Sequence, residues 1–269
     1  MRLQFTKMQG LGNDYIYFDC VRHPVIQSPE NLSIKLSDRH FGIGGDGIVM
    51  IMPSDTADFR MRMFNADGSE GAMCGNASRC IAKYVYDRGL TDKKSIKLET
   101  LSGIKTLDIH ANGDITESVT VDMGKPKVGA VKDTITTEYG EYIYTFVDMG
   151  NPHCVIFTDT PTDKLDIEKI GRPLEKHPFF PNRANIEFVN VIDKNNLRMR
   201  VWERGSGETL ACGTGACATV TAAAVNGISP MNENVNVHLR GGILTINYTG
   251  EKVLMTGTAE FAFDGEVEI

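Results

Sequence analysis

The chain has 269 residues, of which 41% are hydrophobic and 23% charged, values typical of a globular protein. Its length exceeds one ordinary core and predicts two domains of roughly 100 to 150 residues each. The net charge of -7 argues against a nucleic-acid partner, because phosphate backbones repel it and the basic residues are not clustered. No apolar run approaches the roughly 18 residues of a membrane span, and residues 1–7 lack the apolar stretch of a secretory signal, so we expect a cytoplasmic protein with no membrane partner.

Apolar periodicity along the chain predicts more sheet than helix. Alternating apolar and polar residues indicate half-buried strands, and apolar residues three and four positions apart indicate helices. Each of the two longer helices is followed by a glycine, Gly89 or Gly227, where a helix end favours a left-handed residue. In chain order, the predicted elements are a helix at 32–38, a strand at 60–63, a helix at 76–87, strands at 142–147 and 155–157, a helix at 165–170, strands at 186–191 and 197–201, a helix at 216–225, and strands at 235–239, 244–248 and 253–255.

The two halves of the chain carry the same sequence pattern. Residues 60–75 align with residues 198–213 without a gap, and six of the sixteen pairs are identical where composition alone gives roughly one. The same offset of 138 residues places Gly89 on Gly227, and Leu101 with Gly103 on Leu239 with Gly241. Duplication explains these matches. It predicts an N-terminal domain of residues 1–118, joined by a C-terminal strand at 258–269, and a C-terminal domain of residues 119–257.

A cysteine stands before the longer helix in each half. Cys74 and Cys212 occupy equivalent positions of the repeat. The N–H groups at a helix N-terminus favour anions, so we expect them to lower the pKa of these thiols and to bind a carboxylate. A single cysteine is more often a small apolar residue than a catalyst, but its retention in both halves favours a site that needs two thiols.

Two thiols suit the inversion of a carbon acid. Removing a proton from a stereocentre gives a planar carbanion, and inversion then needs a proton donor on the opposite face. A thiolate and a thiol can fill these two roles and exchange them with the direction of the reaction. Two interpretations from another class remain open: a redox module in which the two cysteines form a disulfide, and a metal-binding module in which they hold zinc.

Seven motifs occur in a specific order and spacing. They are GLGND (10–14), DRHFGIGGD (38–46), FNADGS (64–69), MCGN (73–76), GNPH (150–153), ERGSGE (203–208) and ACGTGAC (211–217). Together they resemble the motifs of diaminopimelate epimerases, and the match extends from residue 3 to about residue 245. The resemblance implies an isomerase of lysine biosynthesis that interconverts L,L- and meso-2,6-diaminopimelate, works without a cofactor or metal, and forms a homodimer.

The resemblance also implies a fold and a set of site residues. The fold class is α+β, with two pseudo-symmetric domains, each a mostly antiparallel sheet rolled around a central helix, and a cleft between them. Cys74 and Cys212 are the implied acid/base pair, and His153 and Glu203 are implied to tune the pKa values of the thiols. The residues implied to hold the substrate are Asn13, Asn65, Gly75, Asn76, Asn151, Asn185, Glu203, Arg204, Gly213 and Thr214.

Three further features of the sequence concern the choice of substrate and the binding of a dinucleotide. Arg204 is expected to be a buried cation that clamps the distal carboxylate, which argues against a racemase of another amino acid, such as histidine, on the same scaffold. Gly47 stands where some relatives have a substrate-binding glutamine, so one contact is lost. The glycines at 42–47 do not form a dinucleotide-binding turn, because a predicted helix precedes them and an apolar segment follows, the reverse of the required order.

Overall fold

The computed structural model of the chain describes residues 2–269 and divides into two compact units. The first unit takes the chain as far as Val121 and again from Gly257 to Ile269, and the second is Asp122–Thr256. Both consist mostly of strands with two α-helices each, which confirms the predicted α+β class. None of the helices described for residues 2–269 is both long and apolar enough to cross a membrane.

The first unit contains two α-helices among strands that come from both ends of the chain. Its elements are β1 (Arg2–Gly10), β2 (Asn13–Asp19), α1 (Pro29–Ser37), β3 (Gly47–Met52), β4 (Phe59–Asn65), β5 (Glu70–Gly71), α2 (Gly75–Asp87), β6 (Ser95–Thr100), β7 (Gly103–Asn112), β8 (Ile115–Gly124), which ends just beyond the unit, and the C-terminal strand Glu260–Glu268, numbered β19 below.

The second unit repeats this order of elements. Its elements are β9 (Lys127–Val128), β10 (Asp133–Thr137), β11 (Gly140–Asp148), β12 (Pro152–Phe157), a 3-10 turn at Thr162–Lys164, α3 (Ile167–Glu175), β13 (Asn185–Asp193), β14 (Asn196–Glu203), β15 (Gly207–Glu208), α4 (Gly213–Val225), β16 (Asn234–Leu239), β17 (Gly242–Tyr248) and β18 (Val253–Gly257).

The strands of the two units pair in the same pattern. The first unit has the order β19–β1–β2–β3–β4–β6–β7–β8, and the second has the order β10–β11–β12–β13–β14–β16–β17–β18. In each order the third and fifth pairs are parallel and the others antiparallel. The predicted mostly antiparallel sheet is therefore confirmed in both halves.

One helix in each unit is enclosed by that unit's own strands. In α2 every residue from Gly75 to Val85 is buried, and the helix packs against β1, β2 and β7. In α4 only Thr214 and Val225 are not buried, and the helix packs against six strands of its unit. The other helix of each unit covers the outer side of its sheet. Helix α1 packs against β3 and β4, and helix α3 packs against β13 and β14. Each sheet therefore has a core on both faces.

The repeat register changes after the enclosed helices. The bounds of α1 and α3, and those of α2 and α4, differ by 138 residues, as predicted. The following hairpins turn between Thr100 and Gly103 and between Leu239 and Gly242, a difference of 139. The predicted match of Gly103 with Gly241 is therefore wrong by one position. Eight residues separate α4 from β16, whereas seven separate α2 from β6, and the extra residue shifts the register.

Candidate active site

Cys74 and Cys212 are the N-cap residues of the two enclosed helices. Each has an extended backbone, with φ -134° and ψ 120° at Cys74 and φ -120° and ψ 108° at Cys212. Each sulfur accepts a hydrogen bond from the backbone N–H three residues later, from Ala77 at 3.5 Å and from Gly215 at 3.3 Å. The predicted position of each cysteine at the start of a helix is therefore confirmed.

Asn13 contacts the thiol of Cys74 within the first unit. The Cys74 thiol donates to the Asn13 side-chain oxygen, with 3.4 Å between Sγ and Oδ1. The Asn13 Nδ2 group donates in turn to the Asp46 carboxylate at 2.7 Å. Asp46 directly precedes β3, and the Arg39 guanidinium donates to both Asp46 and Asp14. Sequence reasoning placed Asn13 in the site but did not identify Asp46.

The other first-unit candidates differ in what they contact. Asn76 is buried, and its Oδ1 accepts a hydrogen bond from the buried Arg79 guanidinium at 2.9 Å. Because a guanidinium only donates, the Asn76 amide turns its Nδ2 donor away from Arg79. Asn65 instead bonds Ser69 in its own turn, with 3.0 Å between Nδ2 and Oγ. Gly75 is buried in the first turn of α2.

A chain of hydrogen bonds joins most of the second-unit candidates. The Asn151 Nδ2 group donates to the Thr214 hydroxyl at 3.3 Å, and the Thr214 hydroxyl lies 3.6 Å from the Cys212 sulfur. On its other side, the Asn151 Oδ1 atom lies 3.1 Å from His153 Nε2. The fully buried His153 ring contacts Glu187 through Nδ1, at 2.6 Å. Gly213 is buried in the same helix turn.

The surroundings of Cys212 oppose ionisation of its thiol. Burial raises the pKa of Cys212 well above its ordinary value, and the carboxylates of Glu203 and Glu187 raise it further. The Thr214 hydroxyl and the Gly215 N–H act in the opposite direction but do not outweigh these effects. The prediction that the helix N-terminus lowers the pKa is therefore wrong for Cys212. Burial and the two carboxylates therefore favour the protonated form of Cys212.

Glu203 is a carboxylate that interacts with Cys212. Its side chain hydrogen-bonds the Cys212 thiol and accepts a short hydrogen bond from the Thr209 hydroxyl. Burial raises the pKa of Glu203, and its bonds to Thr209 and Cys212 and the nearby His153 partly offset that rise. These contacts agree with the expected influence of Glu203 on the thiol.

Arg204 and Asn151 line an open cleft of about 550 Å³ within the second unit. Arg204 is exposed, and its guanidinium donates to the Asn182 carbonyl at 3.0 Å. The expectation of a buried cation is therefore wrong, because the guanidinium projects over the cleft from the turn that follows β14. The buried Asn185 side chain fixes this turn by accepting from the Arg204 backbone N–H at 2.8 Å.

Two buried carboxylates of the second unit were missed at the sequence level. Glu187 is fully buried, bonds His153 through Oε1 and has no hydrogen-bond partner for Oε2 among the described residues. Glu175, at the end of α3, accepts from the Trp202 indole at 2.8 Å and from the Gly205 N–H at 3.1 Å. An acidic residue inside the apolar run 186–189 was the available signal for Glu187.

Gly47 has a structural role that excludes a side chain. Its φ is +155°, and a Cβ atom added there would lie 2.0 Å from the Phe64 carbonyl oxygen. This close approach belongs to the antiparallel pairing of β3 with β4. A glutamine at this position would therefore require a different local backbone.

Comparisons with known proteins identify the family. A sequence profile described as diaminopimelate epimerase matches residues 5–129 and 145–262. The diaminopimelate epimerase of Acetivibrio thermocellus is 51% identical, over 99% of this chain and 99% of that relative. That of Methanococcus maripaludis is 48% identical, over 99% of this chain and 100% of that relative. The chain belongs to the diaminopimelate epimerase family. The resemblance seen in the seven motifs is thereby confirmed.

Solved structures with low sequence identity share the fold of this family member. A Bacillus anthracis protein of the PhzF phenazine biosynthesis family superposes with a TM-score of 0.78 at 19% identity, covering 100% of both chains. A hydroxyproline epimerase from Agrobacterium vitis superposes with a TM-score of 0.74 at 16% identity, covering 99% of this chain and 92% of that chain. These likenesses support the fold class and nothing more specific.

Proposed function

We propose that the protein is an isomerase that interconverts L,L-2,6-diaminopimelate and meso-2,6-diaminopimelate in lysine biosynthesis. Membership of the diaminopimelate epimerase family carries this proposal, since identity to named relatives reaches 51% over 99% of the chain. Those names favour diaminopimelate over another amino acid such as histidine. The substrate is a small molecule with two amino-acid centres, of which one is inverted.

Cys74 and Cys212 are the two acid/base groups of the proposed mechanism. A thiolate removes the α-proton, and a thiol returns a proton to the opposite face of the planar carbanion. The raised pKa of Cys212, caused by burial and the adjacent carboxylates, suits the donor thiol. In the direction that begins this way, Cys74 is the base. One forward turnover leaves Cys74 as a thiol and Cys212 as a thiolate, which is the form that acts in the reverse direction. Proton exchange between the two forms must precede the next forward turnover.

The helix N-termini are the proposed sites for the reacting carboxylate. The first-turn N–H groups of α2 and α4 favour an anion, and Gly75 and Gly213 leave the backbone open to it. Asn76 and Thr214 occupy the next position of each helix and can add a side-chain donor. Negative charge that develops as the α-carbon loses its proton is stabilised by the same donors.

The far end of diaminopimelate carries a second ammonium and a second carboxylate. The exposed Arg204 guanidinium beside the cleft is the proposed ligand of the carboxylate, because its planar donors match carboxylate oxygens. Asn151 and Asn185 lie on the same side of this unit, at the cleft and behind the Arg204 turn. Asn13, Asn65 and Glu203 complete the proposed binding set, with His153 and Glu203 adjusting the Cys212 thiol.

Assembly and location complete the proposal. We propose that the protein works as a homodimer in the cytoplasm, with no cofactor and no metal. The family resemblance supports the dimer. The molar mass in solution, measured by light scattering, tests the dimer against a 29.6 kDa monomer.

Deuterium exchange tests the proposed reaction. The protein is incubated with L,L-diaminopimelate in D2O under reducing conditions, and mass spectrometry follows deuterium at the α-carbon while chiral chromatography follows the meso isomer. We expect both to appear together, because the proton returned to the carbon comes from a solvent-exchanged thiol. The absence of both would exclude this function. Histidine and proline serve as control substrates, and turnover of either at a comparable rate would contradict the assigned selectivity.

A further inference from the structure

The repeat-related residues Asn13 and Asn151 hold their side-chain amides in opposite senses. They are 138 residues apart, and each lies next to the capped start of its own unit's enclosed helix. In the first unit the Asn13 Oδ1 acceptor faces the thiol of Cys74. In the second unit the Asn151 Nδ2 donor faces Thr214. One copy therefore presents an acceptor toward its helix start and the other presents a donor.

A carboxylate determines the sense of Asn13 directly. The Asp46 oxygen that lies 2.7 Å away can only accept, so the Asn13 amide must direct Nδ2 toward Asp46. The acceptor Oδ1 is then left for Cys74. The same Asp46 oxygen also accepts from the Asp14 backbone N–H at 3.1 Å, and Arg39 bonds the other oxygen at 3.1 Å. These contacts fix the Asp46 side chain.

A different carboxylate determines the sense of Asn151 through a histidine. Glu187 Oε1 accepts from His153 Nδ1, and Asn151 Oδ1 accepts from His153 Nε2. Both ring nitrogens of His153 therefore face oxygen atoms, and the oxygen at Nδ1 belongs to the fully buried Glu187. With Oδ1 directed toward His153, Asn151 has only its Nδ2 donor for Thr214.

The two orienting acids do not occupy equivalent positions of the repeat. The residue equivalent to Asp46 is Ala184, and the residue equivalent to Glu187 is Val49. Neither alanine nor valine can orient an amide. Each unit therefore orients its asparagine amide with a different acidic residue. The difference in hydrogen-bonding polarity between Asn13 and Asn151 follows from this difference in sequence.

We propose that Asp46 and Glu187 are positioning residues that give Asn13 and Asn151 opposite hydrogen-bonding polarity. This inference rests on the proposed function for its consequence: Asn13 accepts from a thiol or ammonium hydrogen, whereas Asn151 donates to a carboxylate oxygen. An amino-acid centre carries one group of each kind. The two amides therefore select one orientation of the substrate, although the units that carry them are repeats.

Double-mutant cycles test whether each acid acts through its asparagine. Glu187→Gln is made alone and together with Asn151→Ala, and Asp46→Asn alone and together with Asn13→Ala. We expect either acid variant alone to lower kcat/KM for diaminopimelate by about 10- to 100-fold, the effect of one lost hydrogen bond to a charged group. In the alanine background the same change should alter kcat/KM by less than about twofold, because the amide is already absent.

A paired carboxylate elsewhere in the second unit is the matched control. Glu208 bonds Arg200 and contacts neither asparagine. The effect of Glu208→Gln should be the same with and without Asn151→Ala. Additive effects of Glu187→Gln and Asn151→Ala, like those expected for the control, would overturn the proposal for Glu187. Additive effects at Asp46 and Asn13 would overturn it for Asp46.

Nitrogen-15 NMR of the histidine rings gives a readout that does not depend on activity. In the unaltered protein both His153 nitrogens should carry protons, and Glu187→Gln should convert the ring to a neutral form with one unprotonated nitrogen. His153→Gln identifies the signals among the six histidines. An unchanged His153 spectrum in Glu187→Gln would refute the proposal that Glu187 orients Asn151 through His153. A protein that fails to epimerise diaminopimelate would refute the proposed function, whereas the spectrum would still decide the orientation of Asn151.

Discussion

Replacing Gly215 by alanine is the sharpest structural test of the Cys212 environment. Gly215 lies in the first turn of α4, where its N–H bonds the Cys212 sulfur. A methyl group there would lie 2.8 Å from Glu187 Oε1 and 3.2 Å from the Cys212 sulfur. In the first unit, Ala77 is the residue equivalent to Gly215, and Val49 is the residue equivalent to Glu187. Alanine is therefore accommodated at one repeat position and excluded at the other.

The cost of Gly215→Ala follows from the contacts of Glu187. Ordinary contacts are about 3.5 Å, so the carboxylate must move by about 0.7 Å and weaken its bond to His153. Loss of a buried hydrogen bond to a charged group costs about 1.5 to 3 kcal/mol, and the higher helix propensity of alanine returns about 1 kcal/mol. The net loss of unfolding free energy is about 0.5 to 2 kcal/mol, a Tm decrease of about 1 to 8 °C.

Urea unfolding measures this loss through the fluorescence of Trp202, the single tryptophan, which is buried in the second unit. Glu187→Ala removes the clashing oxygen, so adding Gly215→Ala to that variant should stabilise the unit by up to about 1 kcal/mol. Ala77→Gly, the matched control, should destabilise the protein by about 1 kcal/mol. An unchanged or higher urea midpoint for Gly215→Ala alone would refute the reasoning.

Three further predictions concern the proposed site. Cys74→Ser and Cys212→Ser should each lower turnover by several orders of magnitude, since an alcohol is a much weaker acid than a thiol, and a near-normal rate in the exchange assay would contradict the two-base mechanism. Arg204→Ala should raise KM for diaminopimelate about 10- to 100-fold, because a hydrogen bond between charged groups is lost. An unchanged KM would contradict the assignment of Arg204 to the distal carboxylate of diaminopimelate. Glu203→Gln removes a negative charge that raises the pKa of Cys212, so iodoacetamide alkylation of Cys212, quantified by peptide mass spectrometry, should begin at lower pH; an unshifted or upward-shifted profile would exclude that influence.

The enclosed helices were predictable because their local patterns are strong. The prediction 76–87 differs from α2 by one residue at its start. The prediction 216–225 begins three residues later than α4, because Gly213 and Gly215 suggest a loop. Helix α3 was predicted to end at residue 170 but continues through Gly171 and Pro173 to Glu175. A Cβ atom at Gly171 would lie 2.6 Å from the Trp202 Cβ, so this glycine reflects close packing and not a helix end.

The missed strands have weak apolar patterns or distant partners. In β7 only Leu107 and Ile109 are buried, and most of the other positions of the strand are exposed. Strand β1 obtains one neighbour from β2 nearby and the other from β19, so its sheet position depends on residues at the far end of the chain. Pairing of this kind leaves no local periodicity that sequence analysis could detect.

The candidate-site residues that belong to a sequence motif were predictable. The buried charged residues, whose partners are distant in sequence, were not. The capped cysteines follow from the repeated Cys–Gly pairs, and Asn151 and His153 follow from one motif. Burial of Glu187 is decided by His153, which lies 34 positions away in sequence. The pKa of Cys212 is raised first by burial of the thiol itself and then by Glu203 and Glu187, which is why the helix N-terminus alone predicted the wrong direction.

The pairing of β1 with β19 has a consequence for synthesis of the chain. Thr6 and Asp264, which form a side-chain hydrogen bond across these strands, are 258 positions apart. At the usual 5 to 20 residues per second, the ribosome needs roughly 13 to 50 s to make the intervening polypeptide. At the end of that interval all strands of the second unit have been made, but the edge of β1 that pairs with β19 still has no neighbour. The N-terminal sheet is therefore the last to be completed, and chaperones have their longest opportunity to bind there.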